Sequence, residues 1–459
     1  MDDKQHVAVV DIGKTNVKLA LIEMETLTEV AVLRQPNPVL PGPPYPHFDI
    51  EALWNFILTG LTQLQLVQPI NAITVTTHGA SAALLDGEGK LAAPVLDYEH
   101  DGPDGLADEY DAVRPDFQET GSPRLPVGLN LGAQIYWLFE TFPDIKEKAR
   151  FIVTYPQYWV ARLTGIIRNE VTSLGCHTDL WCPTKGSYST MVERSGWLAL
   201  MPPLCQPNQR IGPIRAAVAE QTDLDKQTSV YSGIHDSNAS LYPHLLNRDS
   251  PFSVVSTGTW VVCMAVGGKP VILDPTRDTL INVNGLGDPV MSSRFMGGRE
   301  FEVVVKNHSQ TYQQHEVKRV LEEKLMLLPS VEPGSGPFQG QKHRWIEGQQ
   351  PWSDGERFIA VSFYLALMTA TCLDLIGALG DTIVEGPFSN NALFCDMLAA
   401  ATGRPVIATS GTGTSAGAAL LIAAGRASET LKLATVFTGY PTYSKYAQSW
   451  LSTVAVSNS

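Results

Sequence analysis

Basic residues are scarce: 33 Lys and Arg stand against 47 Asp and Glu, a net charge of −14 over 459 residues. No basic run offsets that balance, which argues against a nucleic-acid partner and leaves solubility as the plain meaning of the charge. Cysteine is thin as well. The six, Cys176, Cys182, Cys205, Cys263, Cys372 and Cys395, contain no CxxC pair, so a zinc site is not expected and reduced thiols of a cytoplasmic protein are. MDDKQHVAVV is charged and runs straight into a strand, so no signal peptide is expected. Long apolar runs are missing: stretches such as Gly417 to Ala424 are too short to cross a bilayer, and no membrane partner is expected. A Walker loop, GxxxxGK[ST] leading into a helix, is also absent. What remains is 44% hydrophobic with 38 Gly and 31 Pro, ordinary globular composition for two or three domains.

Against those absences one stretch stands out. In Val7 to Ile22, VAVVDIGKTNVKLALI, an apolar run stops at a polar turn and resumes, which predicts two strands joined by a tight bend. Gly13 lets the chain bend and brings backbone amides to the turn surface, while Lys14, Thr15 and Asn16 add a cation and donors. Such a turn can hold phosphate oxygens, and Asp11 at the strand end could hold a hydrated Mg²⁺. An ordinary hairpin would read the same way. However, Phe252 to Val266, FSVVSTGTWVVCMAV, repeats the plan, with Ser256, Thr257, Gly258 and Thr259 in its turn. Two such hairpins suggest two related domains presenting both turns to one nucleotide in a central cleft. The expected division is residues 1–243 and 244–459.

Along the chain, Asp49 should cap a helix over Ile50 to Leu66, and Ile70 to Thr77 should form a strand ending at His78. Ligands sit at the carboxyl ends of strands in α/β sheets, so His78 is a candidate substrate contact, with a backbone-bonded loop histidine as the alternative. Glu99 to Asp116 reads as an acidic surface loop or lid, Leu131 to Phe142 as a helix, and Ser173 to Leu180, SLGCHTDL, as a pocket lining. Ser229 to Ser240 predicts a strand running into Gly233 and a helix opening after Asp236. The helix dipole would keep that carboxylate ionised, a good place for a base, although a helix cap reads the same. Leu241 to Pro251 is the expected inter-domain link. The tandem Gly297-Gly298 predicts close approach to a ligand or a packed helix. Gln310 to Leu327 reads as a polar-faced helix and Arg357 to Leu379 as a long apolar one. Two strand-to-helix turns follow, at Gly386 to Asn391 and at Thr412 to Gly417, the latter opening a helix to Ala424. Such a run can hold a base and ribose.

Taken in order, these motifs resemble the FGGY family of carbohydrate kinases, within the sugar kinase/actin/chaperone ATPase superfamily. DIGKTNVK resembles its first phosphate motif, GIHDSNAS the catalytic-aspartate motif, STGTW the second phosphate motif, and EGPFSNNALFCDMLAAATGRPV with SAGAALLIAAG the adenosine end. The G-x-H-D-S form, STGTW, and PQYWVARLTG followed by NEVTS lie nearest the rhamnulokinase and fuculokinase-like subgroup. The glycine-rich turn keeps only Gly386, Gln157 stands where rhamnulokinases usually have Asp, and His78 where Trp or Gln is usual.

The resemblance implies an α/β, ribonuclease H-like two-domain fold and phosphorylation by ATP and Mg²⁺ of a primary hydroxyl on a small ketose or deoxyketose. It implies Asp236 as general base. Asp11 and Asp236 would serve the metal, and Gly13, Lys14, Thr15, Asn16, Thr257, Gly258 and Thr259 the phosphates. Gly297, Gly298, Gly386, Asn390 and Asn391 would complete the nucleotide site. His78, Asp97, Gln157, His235 and Asp236 would face the sugar. A homodimer is left open as the assembly. A kinase for another polyol such as glycerol, a sugar sensor without turnover, and a chaperone-type ATPase are the alternatives.

Overall fold

The computed structural model describes residues 5–346, 350–409, 413–423 and 434–457. They form two compact units: Met1–Asn247 with Ile281–Pro289 and Thr412–Thr430, and Arg248–Leu280 with Val290–Gly411 and Leu431–Ser459.

The first unit is built on β1 (His6–Ile12), β2 (Asn16–Glu23) and β3 (Thr28–Pro36), an antiparallel meander. VAVV and LALI are apolar at consecutive positions because β1 and β2 are buried on both faces. Helix α1 (Ile50–Val67) covers one face, with Leu53, Ile57, Leu61 and Leu64 buried at helical spacing. Asp49 caps it by accepting from the Ala52 amide at 3.0 Å, a contact worth about 1 kcal/mol. Strand β4 (Ala72–Thr77) then returns parallel to β1.

The acidic stretch after it is not a loop. It contains helix α2 (Ala107–Val113), whose Tyr110 is buried and donates to Asp179 Oδ2 at 2.6 Å, with Arg114 on the same carboxylate at 3.0 Å. Leu106, Tyr110 and Val113 supply an apolar stripe inside the acidic run, which corrects the reading as a lid. Helices α3 (Leu131–Thr141) and α4 (Tyr155–Thr164) follow, then β5 (Arg210–Pro213), β6 (Ser229–Tyr231), β7 (Ile234–His235) and α5 (Asp236–Asn247). The sheet order is β5-β6-β4-β1-β2-β3, with β7 also pairing β4. Residues Leu241 to Asn247 belong to α5, and Leu241, Tyr242 and Pro243 are buried in it. The expected link therefore loses most of its length to a packed helix.

The second unit repeats the plan. Hairpin β8 (Phe252–Thr257) and β9 (Val261–Val266) is flanked by β10 (Thr279–Val283) and β11 (Pro289–Phe295). Next come α6 (Gly297–Val305), α7 (Gln314–Glu322), α8 (Asp354–Leu375), β12 (Asp381–Glu385), α9 (Ala392–Thr402) and β13 (Val406–Ala408). Helix α10 (Thr414–Ala419) groups with the first unit, and β14 (Thr435–Phe437) closes the second sheet in the order β10-β11-β9-β8-β12-β13-β14. In each sheet a hairpin pairs antiparallel, and its first strand pairs parallel with a later one: β1 with β4, β8 with β12. The duplication seen in two turns thus extends to strand topology.

Two readings differ from expectation, and a third falls outside the described residues. A capping box of Gln313 and Glu316 starts α7 at Gln314, and Lys324 at φ 52° lies just beyond its end, so the helix does not reach Leu327. Helix α8 is long and apolar enough to span a bilayer, contrary to the reading of short apolar runs, yet 72% of its apolar window is buried, as in a core helix. Thr412 and Ala424, at the expected ends of the last turn and helix, lie outside the described residues.

Candidate active site

In the first unit three parallel strands end level with one another. Ile12 of β1 lies opposite Thr77 of β4, and Thr77 lies opposite His235 of β7. That register brings Asp11, His78 and Asp236 to the same sheet edge, where α/β sheets hold ligands. The turn after β1 is closed by Gly13 N–H to Asn16 O at 3.0 Å. Asn37, which the sequence reading passed over, pins it: its backbone N–H donates to Thr15 O at 2.8 Å and its Nδ2 to Gly13 O at 2.9 Å. Burial raises the Asp11 carboxyl to about 6, with Asp236 adding to the rise and Lys18 opposing it. Ser415 Oγ donates to Asp11 Oδ2 at 3.2 Å.

Asp236 opens α5. Its Oδ1 accepts from Ser237 N at 2.6 Å and lies 3.1 Å from His235 Nε2, while 36% of the side chain stays exposed. Burial opposes ionisation, but His235 outweighs it and holds the carboxyl below its ordinary range. The Asn238 amide lies 3.4 Å from His235 Nδ1, the other ring nitrogen. Cys176 Sγ lies 3.5 Å from the same Nε2. Burial works against the thiolate, yet His177 and His235 draw the Cys176 thiol down to about 5, and His235 is raised well above its usual value. Gly79 admits this cluster: a Cβ there would stand 2.8 Å from the His235 ring and 3.0 Å from Cys176 Sγ.

Behind His235 stands a buried carboxylate. Glu170 accepts from the amides of Thr172 (2.6 Å) and Ser173 (3.1 Å) and from both hydroxyls (2.6 and 3.2 Å). Thr172 Oγ1 in turn accepts from the His235 amide at 3.2 Å. Burial pushes Glu170 up to about 7, opposed by these donors; four donors converging on one group favour the carboxylate. Glu170→Gln has to turn an amide NH₂ either toward the Thr172 amide on Oε1 or toward the three donors on Oε2. We expect a loss of about 2–4 kcal/mol in denaturant unfolding, since a buried network is left partly unpaired, and a stability equal to the parent would remove Glu170 from this supporting role.

The other sugar-side candidates separate. His78 is buried among Phe48, Tyr98 and Tyr155, at ring distances of 5.5, 5.1 and 5.1 Å, and neither ring nitrogen has a partner. Burial lowers it to about 4, so the ring is neutral near pH 7. Lys14 gives its ammonium to Asp97, with Glu99 at 3.3 Å, and lies over the Tyr98 ring at 4.8 Å. The expected phosphate and sugar contacts of Lys14 and Asp97 are here spent on each other. Both ends of the Gln157 amide are also spent, on Ser232 O at 2.9 Å and on the Thr154 hydroxyl, so it supports the strand end instead of lining a pocket. Thr15 and Asn16 are exposed in the turn and bonded to each other at 3.0 Å.

In the second unit, Gly258, Thr259, Gly298, Pro387, Asn390 and Asn391 line a cavity of about 780 Å³ with Phe301, Tyr312, Phe358 and Phe388. Gly258 has room, since an added Cβ meets only Trp260 O at 3.8 Å, but Gly298, Gly297 and Gly386 are close-packing positions. A Cβ on Gly298 would collide with Gly258 O, and one on Gly386, at φ +81°, with Thr257 O. Gly297 is packed against Val261 and Phe295. Thr257 Oγ1 bridges Glu385 O and Phe388 N, so that hydroxyl is structural. Asn391 caps α9 at Phe394 N (3.2 Å) and donates to Ser362 Oγ (2.9 Å). The sequence reading missed the aromatic wall, because Phe301, Tyr312 and Phe358 come from three separate segments with no shared motif.

Residues 6–242 match the N-terminal domain of the FGGY family of carbohydrate kinases, and residues 249–430 match the C-terminal domain of carbohydrate kinase FGGY. A carbohydrate kinase from Novosphingobium aromaticivorans, of known crystal structure, is 34% identical, with a TM-score of 0.90, covering 97% of this chain and 100% of that one. An L-fuculokinase from Salmonella typhi is 25% identical over 202 residues, 44% of this chain and 42% of that enzyme, so the match spans less than half of that curated relative. Plasmodium falciparum glycerol kinase, solved with ADP, is similar in fold alone, at 14% identity and a TM-score of 0.81, covering 99% of this chain and 98% of that one. This chain belongs to the FGGY family of carbohydrate kinases.

Proposed function

We propose that this chain transfers the γ-phosphoryl group of ATP to a primary hydroxyl of a small ketose or deoxyketose, with Asp236 as general base. The observation that carries the proposal is Asp236 itself. It sits at a strand end, held by His235 Nε2 and the Ser237 amide on Oδ1, with more than a third of the side chain exposed toward an incoming hydroxyl. Asp236 takes the proton as the sugar oxygen bonds to the γ-phosphorus; the bond to the bridging oxygen breaks and ADP leaves. His235 keeps the carboxylate ionised and aimed. His78, neutral with two unpartnered nitrogens, offers one donor and one acceptor to sugar hydroxyls, which would relieve the cost of burying both. The first unit would take the sugar, and the cavity of the second the nucleotide.

Mg²⁺ suits the residues present. Asp11 and Asp236 supply hard oxygen donors, and no group of three or more His, Cys, Asp or Glu is gathered as a metal cage among the described residues. An ion held by one or two carboxylates fills its other positions with water and phosphate oxygens. Asp11 and Asp236 would hold it, and it would neutralise charge on the phosphates.

A screen of ketoses and polyols in a coupled ADP-release assay tests the reading. Turnover on a ketose or deoxyketose supports it. Turnover on glycerol alone would move the substrate to another polyol. Sugar binding without ATP consumption would make the chain a sensor of the same fold.

A further inference from the structure

The cavity of the second unit has an unusual division between stacking and edge recognition. Its glycine end, at Gly258, Thr259 and Gly298, offers backbone; its other side is aromatic. Tyr312 and Phe358 are stacked at 6.0 Å with planes 26° apart, and Phe301 stands edge-on to Phe358 at 6.2 Å and to Phe388 at 5.8 Å. Phe301, Tyr312 and Phe358 are half-buried, so part of each ring is open to a ligand, while Phe388 is buried behind them. This surface can hold any flat base by its face.

Edge readers are weak by comparison. Asn391 lines the cavity, but its Oδ1 is committed to the α9 cap and its Nδ2 to Ser362 Oγ. Among the described residues, the other polar side chains of the lining are Thr259, Glu302, Gln310 and Asn390, all exposed, and Tyr312, whose half-buried ring belongs to the stacking wall. Strong discrimination between bases needs a buried polar group that the wrong base leaves unpaired. An exposed glutamine amide can turn either end to a purine edge, and water can serve whatever it leaves. The carboxylate of Glu302 can accept from the amino group of adenine or of guanine alike.

We infer that this site selects its nucleotide by stacking and phosphate contacts and reads the base edge only loosely, so that purine nucleoside triphosphates other than ATP serve as phosphoryl donors. The inference rests on the nucleotide reading of this cavity and deepens it. A tenfold preference corresponds to about 1.4 kcal/mol, and hydrogen bonds whose place water can take hold the preference within that range.

The test compares ATP, GTP and ITP as donors with the full chain and the best acceptor from the ketose screen. Isothermal titration with ADP and GDP reads the same ratio without turnover. Expected are kcat/KM values for GTP and ITP, and a GDP affinity, all within about tenfold of the adenine nucleotide. A larger gap in favour of adenine overturns the inference. Gln310→Ala, on an exposed side chain, should leave the ATP-to-GTP ratio within about threefold of its parent value; a larger shift would make Gln310 a base reader and overturn it too. If ADP release fails with every acceptor but nucleotides bind with the expected ratio, the kinase reading fails and the base inference stands. If no nucleotide binds, both fail.

Discussion

Asp236→Asn is expected to lower turnover by about a thousandfold or more while sugar affinity stays within about tenfold of the parent. The substitution keeps the shape of the side chain. An amide Oδ1 can still accept from Ser237 N and His235 Nε2, which lie at 2.6 and 3.1 Å, so the start of α5 and the imidazole should stay where they are. What the amide cannot do is take a proton from a hydroxyl, and only that ability separates the variant from the parent. A general base contributes about 10²–10⁴-fold, and the upper part of that range is expected because His235 holds the carboxylate ionised and oriented in advance. The check is kcat from ADP release beside a sugar dissociation constant from calorimetry. If kcat falls and the thermal midpoint falls with it, the loss is a folding defect. Near-normal kcat in a stable protein would remove Asp236 from the base role.

The place of Asp236, between a strand end and a helix start, was legible because its signals are local. A strand, a glycine at 233, an aspartate and a run of small residues lie within a dozen positions, and each has a conformational meaning by itself. The hairpin turns were legible for the same reason, and the second copy turned a common pattern into a duplicated domain. The side chains gathered around that carboxylate were not legible. Cys176 meets His235 across 59 residues and Thr172 meets it across 63, so no window on the chain contains both partners. SLGCHTDL announces polarity without saying that one thiol and one hydroxyl converge on a distant imidazole. The roles of Lys14, Asp97 and Gln157 were obscured in the opposite way. Their side-chain types suit a ligand, but only coordinates reveal that each already has protein partners. The acidic segment around Tyr110 failed because charge density was weighed above three apolar residues at helical spacing.

Gly298→Ala carries the second large expectation: a rise in the KM for ATP of about tenfold or more, with the KM for sugar unchanged. Gly298 is the second residue of α6, beside the β8–β9 turn, and its amide donates to Thr259 O at 3.1 Å. A Cβ would collide with Gly258 O and lie 3.1 Å from the Thr259 Cα. Both neighbours are backbone, so no side chain can swing aside, and the turn itself has to move. Overpacking of this kind costs about 1–3 kcal/mol, part of it relieved by opening the turn that forms the glycine end of the cavity. Positioning of the nucleotide suffers, whereas the strand ends of β1, β4 and β7 are untouched. Gly334 provides the control: an added Cβ meets nothing within 4 Å, so Gly334→Ala should change neither KM nor stability measurably. Were Gly298→Ala to bind ATP as the parent does, the close approach of α6 to the turn would be packing alone, and the nucleotide role of that glycine pair would be lost.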